Sequence, residues 1–396
     1  MQPETVLKQR IQSIDVLRGL VMLIMALDHT REFFHIQGMT GDPTDLATTT
    51  PFLFFTRWIT HYCAPTFVFL SGVSVYLAGL KRTPKEMAAF LIKRGLWLIL
   101  VELVLLSLAF TLNPLFNVLV MQVIWATGVS MIILGLMIRL PMMVITVTGC
   151  ILFLGHNLLD YVALPEKGAW ALLLKMLFTA RGTVIQLNAT HFIFCLYAVL
   201  PWTGVMFTGY TFGQLYKPGF EAKKRQNYLR LAGLIMIVLF VILRFTNLYG
   251  DPSPWKLQRT WVFSLISFLN TSKYPCSLLY LFMTIGPALI LLAYLENIQN
   301  KFTAVLNTYG SVPFFYYVPH FYIIRTLSVI LFFASGYTSK DIVTPNMPFL
   351  FRPLNFGYNL PVVYLIWLFI IASLYFPCRW FSAYKKTHKQ WWLSYL

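Results

Sequence analysis

Residues 14–34 read IDVLRGLVMLIMALDHTREFF, an apolar run from Leu20 to Leu27 between Asp15 and Arg18 on one side and Asp28-His29-Thr30-Arg31 on the other. At about 1.5 Å per residue, a helix over this stretch is roughly 30 Å long, the thickness of a bilayer's hydrocarbon core. Lys8 and Arg10 precede it as in a secretory leader, but its internal charges and the lack of a small-residue cleavage pattern predict a retained first helix. An ionisable side chain at the centre of a span costs about 2.5–3.5 kcal/mol, so polar groups kept at depth are functional candidates.

The same pattern recurs along the chain. Of 396 residues 58% are hydrophobic and 11% charged, with mean hydropathy +0.67, a balance that fits a membrane solvent and not a soluble domain. The expected fold is an all-α polytopic membrane protein of about ten transmembrane helices, over 14–34, 59–80, 88–111, 116–138, 141–157, 190–216, 228–248, 275–295, 312–334 and 359–378. One domain fills residues 1–396: a cytoplasmic N-terminus (1–13), a helical bundle (14–378) and a basic cytoplasmic tail (379–396). With both termini inside, the inner connections and inner helix ends carry 19 of the 31 Lys and Arg residues, which satisfies the positive-inside rule. The net charge of +17 is therefore topological. Scattered between apolar runs, it forms no basic face for nucleic acid. The longer connections, 35–58, 158–189, 249–274 and 335–358, are external, and 168–178 and 255–269 are apolar enough for helices lying in the interface. Gly209 and Gly213 make a small-xxx-small pair for close helix contact. Cys63, Cys150, Cys195, Cys276 and Cys378 have no CxxC spacing and are expected to pack between helices.

Four polar clusters fall in the outer half of the predicted bundle: Asp28-His29-Thr30-Arg31; Arg57 with His61; Lys273-Tyr274; and His320 with Arg325. Histidine titrates near neutrality and suits general acid or base work. Asp28 cannot easily orient His29, because adjacent helical residues project about 100° apart, so its expected partners are Lys273, Arg57 or Arg325. His29, His61 and His320 can equally be buried hydrogen-bonding residues without chemistry. A metal held by His29, His61 and Asp28 is set aside, since no HxxxH or HExxH spacing occurs. Buried Asp, His and Arg also build proton relays, so a proton-coupled secondary transporter of a small polar solute is the alternative reading. It calls for inverted repeats, and the sequence has no evident ones.

The run Arg10-Ile-Gln-Ser13-Ile-Asp15-Val-Leu-Arg18-Gly19-Leu followed by Asp28-His29, with Pro65-Thr-Phe-Val-Phe-Leu-Ser71-Gly72, Gln122-Val-Ile-Trp-Ala-Thr-Gly128, Lys273-Tyr-Pro-Cys-Ser277 and Gly310-Ser-Val-Pro-Phe-Phe-Tyr-Tyr-Val-Pro-His320, resembles bacterial membrane proteins related to the catalytic domain of heparan-alpha-glucosaminide N-acetyltransferase, within the transmembrane acyltransferase superfamily. The resemblance implies transfer of an acetyl group from cytosolic acetyl-CoA, the co-substrate, to a sugar-like amine or hydroxyl on the other side of a bacterial inner membrane. It implies His29 as base and His320 as an orienting or relaying residue. The lysosomal branch carries its histidine in the loop after the first span, which aligns poorly with residues 35–58, so His61 and His35 stand as rival bases. Lys93, Arg94 and Arg139 would meet the CoA phosphates. Arg31, Arg57, Gln122, Lys273, Tyr274 and Arg325 would serve the substrate or the oxyanion. The partners expected are the bilayer, the donor, a small or glycan acceptor and a second copy of the chain in a homodimer; no metal is expected.

Overall fold

A computed structural model describes residues 11–163, 165, 167–180, 183–344 and 348–394; Lys8 and Arg10, counted above among the inner cations, lie outside the described residues. The fold is mostly helical, 69% of residues. The first half contains α1 (Gln12–Phe34), α2 (Pro51–Thr60), α3 (Cys63–Gly79), α4 (Pro84–Val101), α5 (Ser107–Thr111), α6 (Val123–Met137), α7 (Met142–Gly155) and α8 (Ala169–Leu174). The second half adds α9 (Val199–Phe212), α10 (Ala222–Thr246), α11 (Trp261–Leu269), α12 (Leu278–Leu295), α13 (Lys301–Gly310), α14 (Pro313–Ala334) and α15 (Leu360–Thr387).

Among the described residues, six helical segments are long and apolar enough to cross a membrane: Pro51–Gly79, Met142–Tyr161, Ala222–Thr246, Leu278–Leu295, Pro313–Ala334 and Leu360–Thr387. Two further windows, at α1 and α4, hold helices rich in charge, and those at α6 and α9 hold helices of 15 and 14 residues. In α1 the charges are matched at short range: Arg18 Nη1 lies 2.8 Å from Asp15 Oδ1, and Arg31 Nη2 lies 3.2 Å from Asp28 Oδ1. Such pairing lowers the cost of burying each charge. Helix starts follow the local chemistry. Thr83 and Glu86 form a reciprocal capping box on α4, and the hydrogen bonds from Thr83 hold the Glu86 carboxyl below its ordinary range. The two apolar segments 168–178 and 255–269 carry short helices, α8 and α11.

The expectation of an all-α chain is corrected in one place. Two apolar windows begin as strands, β1 (Val118–Met121) and, in chain order after β2 (Thr183–Gln186), β3 (Phe192–Cys195). β3 is central, parallel to β1 and antiparallel to β2. Short apolar runs do not reveal by periodicity whether they are helix or strand. Here Val, Ile and Phe favour the pleated form.

α1 is the hub, packed against α3, α12, α13, α14 and α15. Its crossing with α13 is backbone on backbone: a Cβ on Gly19 would lie 1.9 Å from the Leu306 carbonyl oxygen, and one on Gly310 would lie 1.8 Å from that of Asp15. Facing glycines recur where α4 meets α6 (Gly95, Gly128) and where α10 meets α12 (Gly233, Gly286). Gly209 closes α9 on the backbone of Phe69, whereas Gly213 receives the ring of Tyr76. In lipid, where apolar contact alone gives no advantage over solvent, such close approach supplies the packing. Gly310→Ala should therefore force α1 and α13 apart and lower stability by about 1–3 kcal/mol in thermal unfolding. Gly155→Ala, whose Cβ meets nothing within 4 Å among the described residues, should leave it unchanged.

Candidate functional site

The C-terminal half of α1 opens onto a cavity of about 640 Å³, walled by residues 38–42, the start of α3, one face of the sheet, Lys273-Tyr274, Tyr317 and Pro348-Phe349. Asp28, His29 and Glu32 line it, as do Gln122 at the start of α6, Lys273 and Tyr274. Successive turns of one helix thus deliver a base and two carboxylates to the same space.

Asp28 is 6% exposed and gathers cations from three elements. Arg31 reaches one oxygen from α1, Arg57 Nη1 of α2 hydrogen-bonds the other, and Lys273 Nζ stands 4.0 Å away. Glu32 lies 3.9 Å from Arg31. This cluster joins α1, α2 and the 271–276 segment through opposite charge. The last segment is fixed in turn by Arg244, which donates to the carbonyls of Ser253, Ser267, Phe268 and Asn270. Asp251 accepts from Ser272 N and Ser277 Oγ. Burial raises the Asp251 carboxyl above its usual range, opposed by Arg244 and these hydrogen bonds.

The histidines form a chain whose protons are ordered by one carbonyl. His320 Nδ1 hydrogen-bonds the carbonyl oxygen of Tyr317, one turn earlier. A carbonyl can only accept, so that nitrogen carries hydrogen and the neutral ring's Nε2 is bare. His29 Nδ1, 2.8 Å away, must then donate to it. What remains at His29 is an unprotonated Nε2 on a ring that lines the cavity and stacks on Phe321 at 4.3 Å between centroids. That is the form a general base needs.

At the N-terminal end of α1 lies a second cavity of about 370 Å³, lined by Arg18, Arg82, Arg94 and Lys385. Arg18 also holds Ser74 Oγ at 2.7 Å and the Gly310 carbonyl at 3.2 Å. Phe67 and Tyr317 line both cavities and form their common wall. A third, about 950 Å³, adjoins the second at Ile11, Leu77, Ala78 and Arg82 and presents Lys81, Lys217 and Arg225.

The sequence candidates separate accordingly. Asp28, His29, Gln122, Lys273 and Tyr274 face the first cavity, with Arg31, Arg57 and His320 directly behind. His61 is buried but does not line it: its carbonyl accepts from Tyr280 Oη at 2.9 Å and its Nδ1 has no hydrogen-bond partner among the described residues. His35 packs at the end of α1, its carbonyl accepting from Arg352. Arg325 is not an Asp28 partner; it donates to the Leu350 carbonyl at 2.5 Å and lies over Phe33. Of the three proposed phosphate cations only Arg94 reaches the second cavity, while Lys93 and Arg139 are exposed elsewhere. Sequence reasoning missed Glu32, Arg18, Arg82 and Lys385 as lining groups. The i, i+3 relation of His29 and Glu32 was the available signal for the first.

With Asp28 removed, three cations share one buried site, so Asp28→Asn should cost about 3–5 kcal/mol of stability. Thermal unfolding of the purified protein measures this, and adding Arg57→Gln should restore part of the loss. No curated protein matches the chain in sequence. The family described as heparan-alpha-glucosaminide N-acetyltransferase, catalytic, matches over residues 10–246, more than half of the chain, ending before the Lys273 and His320 blocks. The chain therefore belongs to the heparan-alpha-glucosaminide N-acetyltransferase catalytic domain family of membrane acetyltransferases.

Proposed function

We propose that the protein carries an acetyl group from cytosolic acetyl-CoA to a sugar-like amine or hydroxyl on the outer side of a bacterial inner membrane, through about ten spans with both termini in the cytoplasm. The observation that carries this reading is the pair of cavities at opposite ends of α1 with Phe67 and Tyr317 as a shared wall. One is basic and the other contains the base. Arg18 and His29 are 11 residues apart, about 16 Å along the helix axis. An extended pantetheine arm suits that interval, with CoA phosphates at Arg82, Arg94 and Lys385 and the thioester near His29.

In the reaction the acceptor nitrogen or oxygen attacks the thioester carbon while His29 Nε2 takes its proton. The tetrahedral intermediate collapses, the C–S bond breaks, and the imidazolium returns that proton to the departing thiolate. His320 keeps the His29 ring in the productive tautomer and stabilises the imidazolium. Lys273, Tyr274 and Gln122 are the donors available to the oxyanion. Keeping the CoA nucleotide and the acceptor in separate chambers would leave only the acyl-bearing arm to pass between them.

With labelled acetyl-CoA and glucosamine, the purified protein should transfer acetyl, and His29→Ala should reduce the rate by about 10²–10⁴-fold with the donor still bound. His320→Ala should reduce it less. Absence of acetyl-CoA binding together with proton-coupled solute uptake would sink the proposal in favour of a transporter. Arg82→Gln and Arg94→Gln should each raise the KM for acetyl-CoA several-fold without lowering kcat, and the effect should shrink at high salt.

A further inference from the structure

The sheet has two unlike faces. Met121, Ile193 and Cys195 point to one side and pack with Leu103, Ala180 and Ala198 in a small core of their own. The alternate residues Val118 and Val120 of β1, Val184 of β2, and Phe192 and Phe194 of β3 all line the first cavity. The register places Val118 beside Phe192, and both Val120 and Val184 beside Phe194, so these side chains form one continuous apolar patch. Its inner part is well covered, with Val118 at 7% and Val120 at 5% exposure, while Val184 at the edge is 48% exposed.

The patch also has a direction. β1 and β3 run parallel, and their C-terminal ends lead into the polar part of the same cavity: Gln122 follows β1, and Tyr197, two residues beyond β3, receives the Tyr274 hydroxyl at 3.4 Å. Lys273 and Asp28 lie at this end. Moving back along the strands, the residues that line the cavity are only Val and Phe, two each on β1 and β3 and about 7 Å apart along each strand. A free sugar has little to place on these strands, since the side chains they turn into the cavity are apolar and the one polar neighbour on that face, Gln186 beside Phe192, lies at the far edge outside the lining. An apolar chain attached to the sugar would cover it.

We infer that the acceptor is an amphiphilic glycoside, its sugar held at Asp28, His29 and Lys273 and its apolar chain lying on Val118, Val120, Val184, Phe192 and Phe194. This rests on the acetyl-transfer reading for the chemistry at His29 and adds the class of acceptor. A glycolipid has this form.

The test compares octyl glucosaminide with glucosamine, both below the micelle concentration, on the full chain in amphipol with protein-free amphipol as blank. Binding is measured without acetyl-CoA and transfer with it. Burial of several methylenes, each a factor of roughly four, predicts that the octyl compound binds at least about tenfold more tightly. That preference should fall towards parity in Phe194→Ser and in Val184→Asp. The second variant alters a half-exposed edge residue, so its fold should survive; thermal unfolding checks both. Equal binding of the two acceptors by the unaltered protein, or a preference that persists in both variants, overturns the inference. Preferential binding without transfer keeps the platform and instead overturns acetyl transfer.

Discussion

The carboxylate of Asp28 cannot remain charged at that depth without cations, and the molecule supplies them from three directions: Arg31 on its own helix, Arg57 on α2 and Lys273 on the segment before α12. A buried ion left unpaired costs several kcal/mol. The cluster consequently ties together the positions of elements distant in sequence. His29, on the next residue of α1, takes its place in the cavity from the same constraint. The carboxylate thus aligns the histidine through helix placement, without a hydrogen bond to its ring.

Behind the charges stands a second layer of fixation. Arg244 is 1% exposed and engages four carbonyl oxygens, while Asp251 caps the other side of the same loop. Carbonyls at the end of α11 that would otherwise lack partners are satisfied by a side chain from α10, and Lys273 is thereby presented to Asp28. On the opposite side of His29, the Tyr317 carbonyl orders the proton on His320. Nothing in the chemistry of a lone histidine selects one tautomer. Two hydrogen bonds in series do.

The sequence was most legible where membrane physics is strict. Six of the ten apolar windows hold helical segments long and apolar enough to cross a membrane among the described residues, and depth-costly residues point to Asp28, His29 and Lys273 as neighbours. It was least legible where short apolar runs adopt extended structure: residues 118–121 and 192–195 look like span interiors by composition, yet they pair as strands. The basic cavity was half legible. Arg94 was chosen for lying at a helix's inner end, but whether a cation on such an end turns inward depends on helix rotation. That rotation turns Arg94 in and leaves Lys93 and Arg139 outside, while Arg82 reaches the cavity from the turn between α3 and α4. Lys385 comes from more than 280 residues away in sequence, a separation no local pattern can bridge.

The wall that Phe67 and Tyr317 share between the two cavities has a consequence for the membrane itself. A protein with water-accessible chambers on both sides risks becoming a leak for protons and ions. Two aromatic side chains at the meeting point, with a single phenolic hydroxyl between them, replace little of a small ion's hydration shell, so dehydration opposes its passage. In the proposed transfer the thioester arm would pass beside these two side chains, and the same pair would stand against the passage of a hydrated ion. Permeability barrier and substrate passage would then be properties of the same two residues.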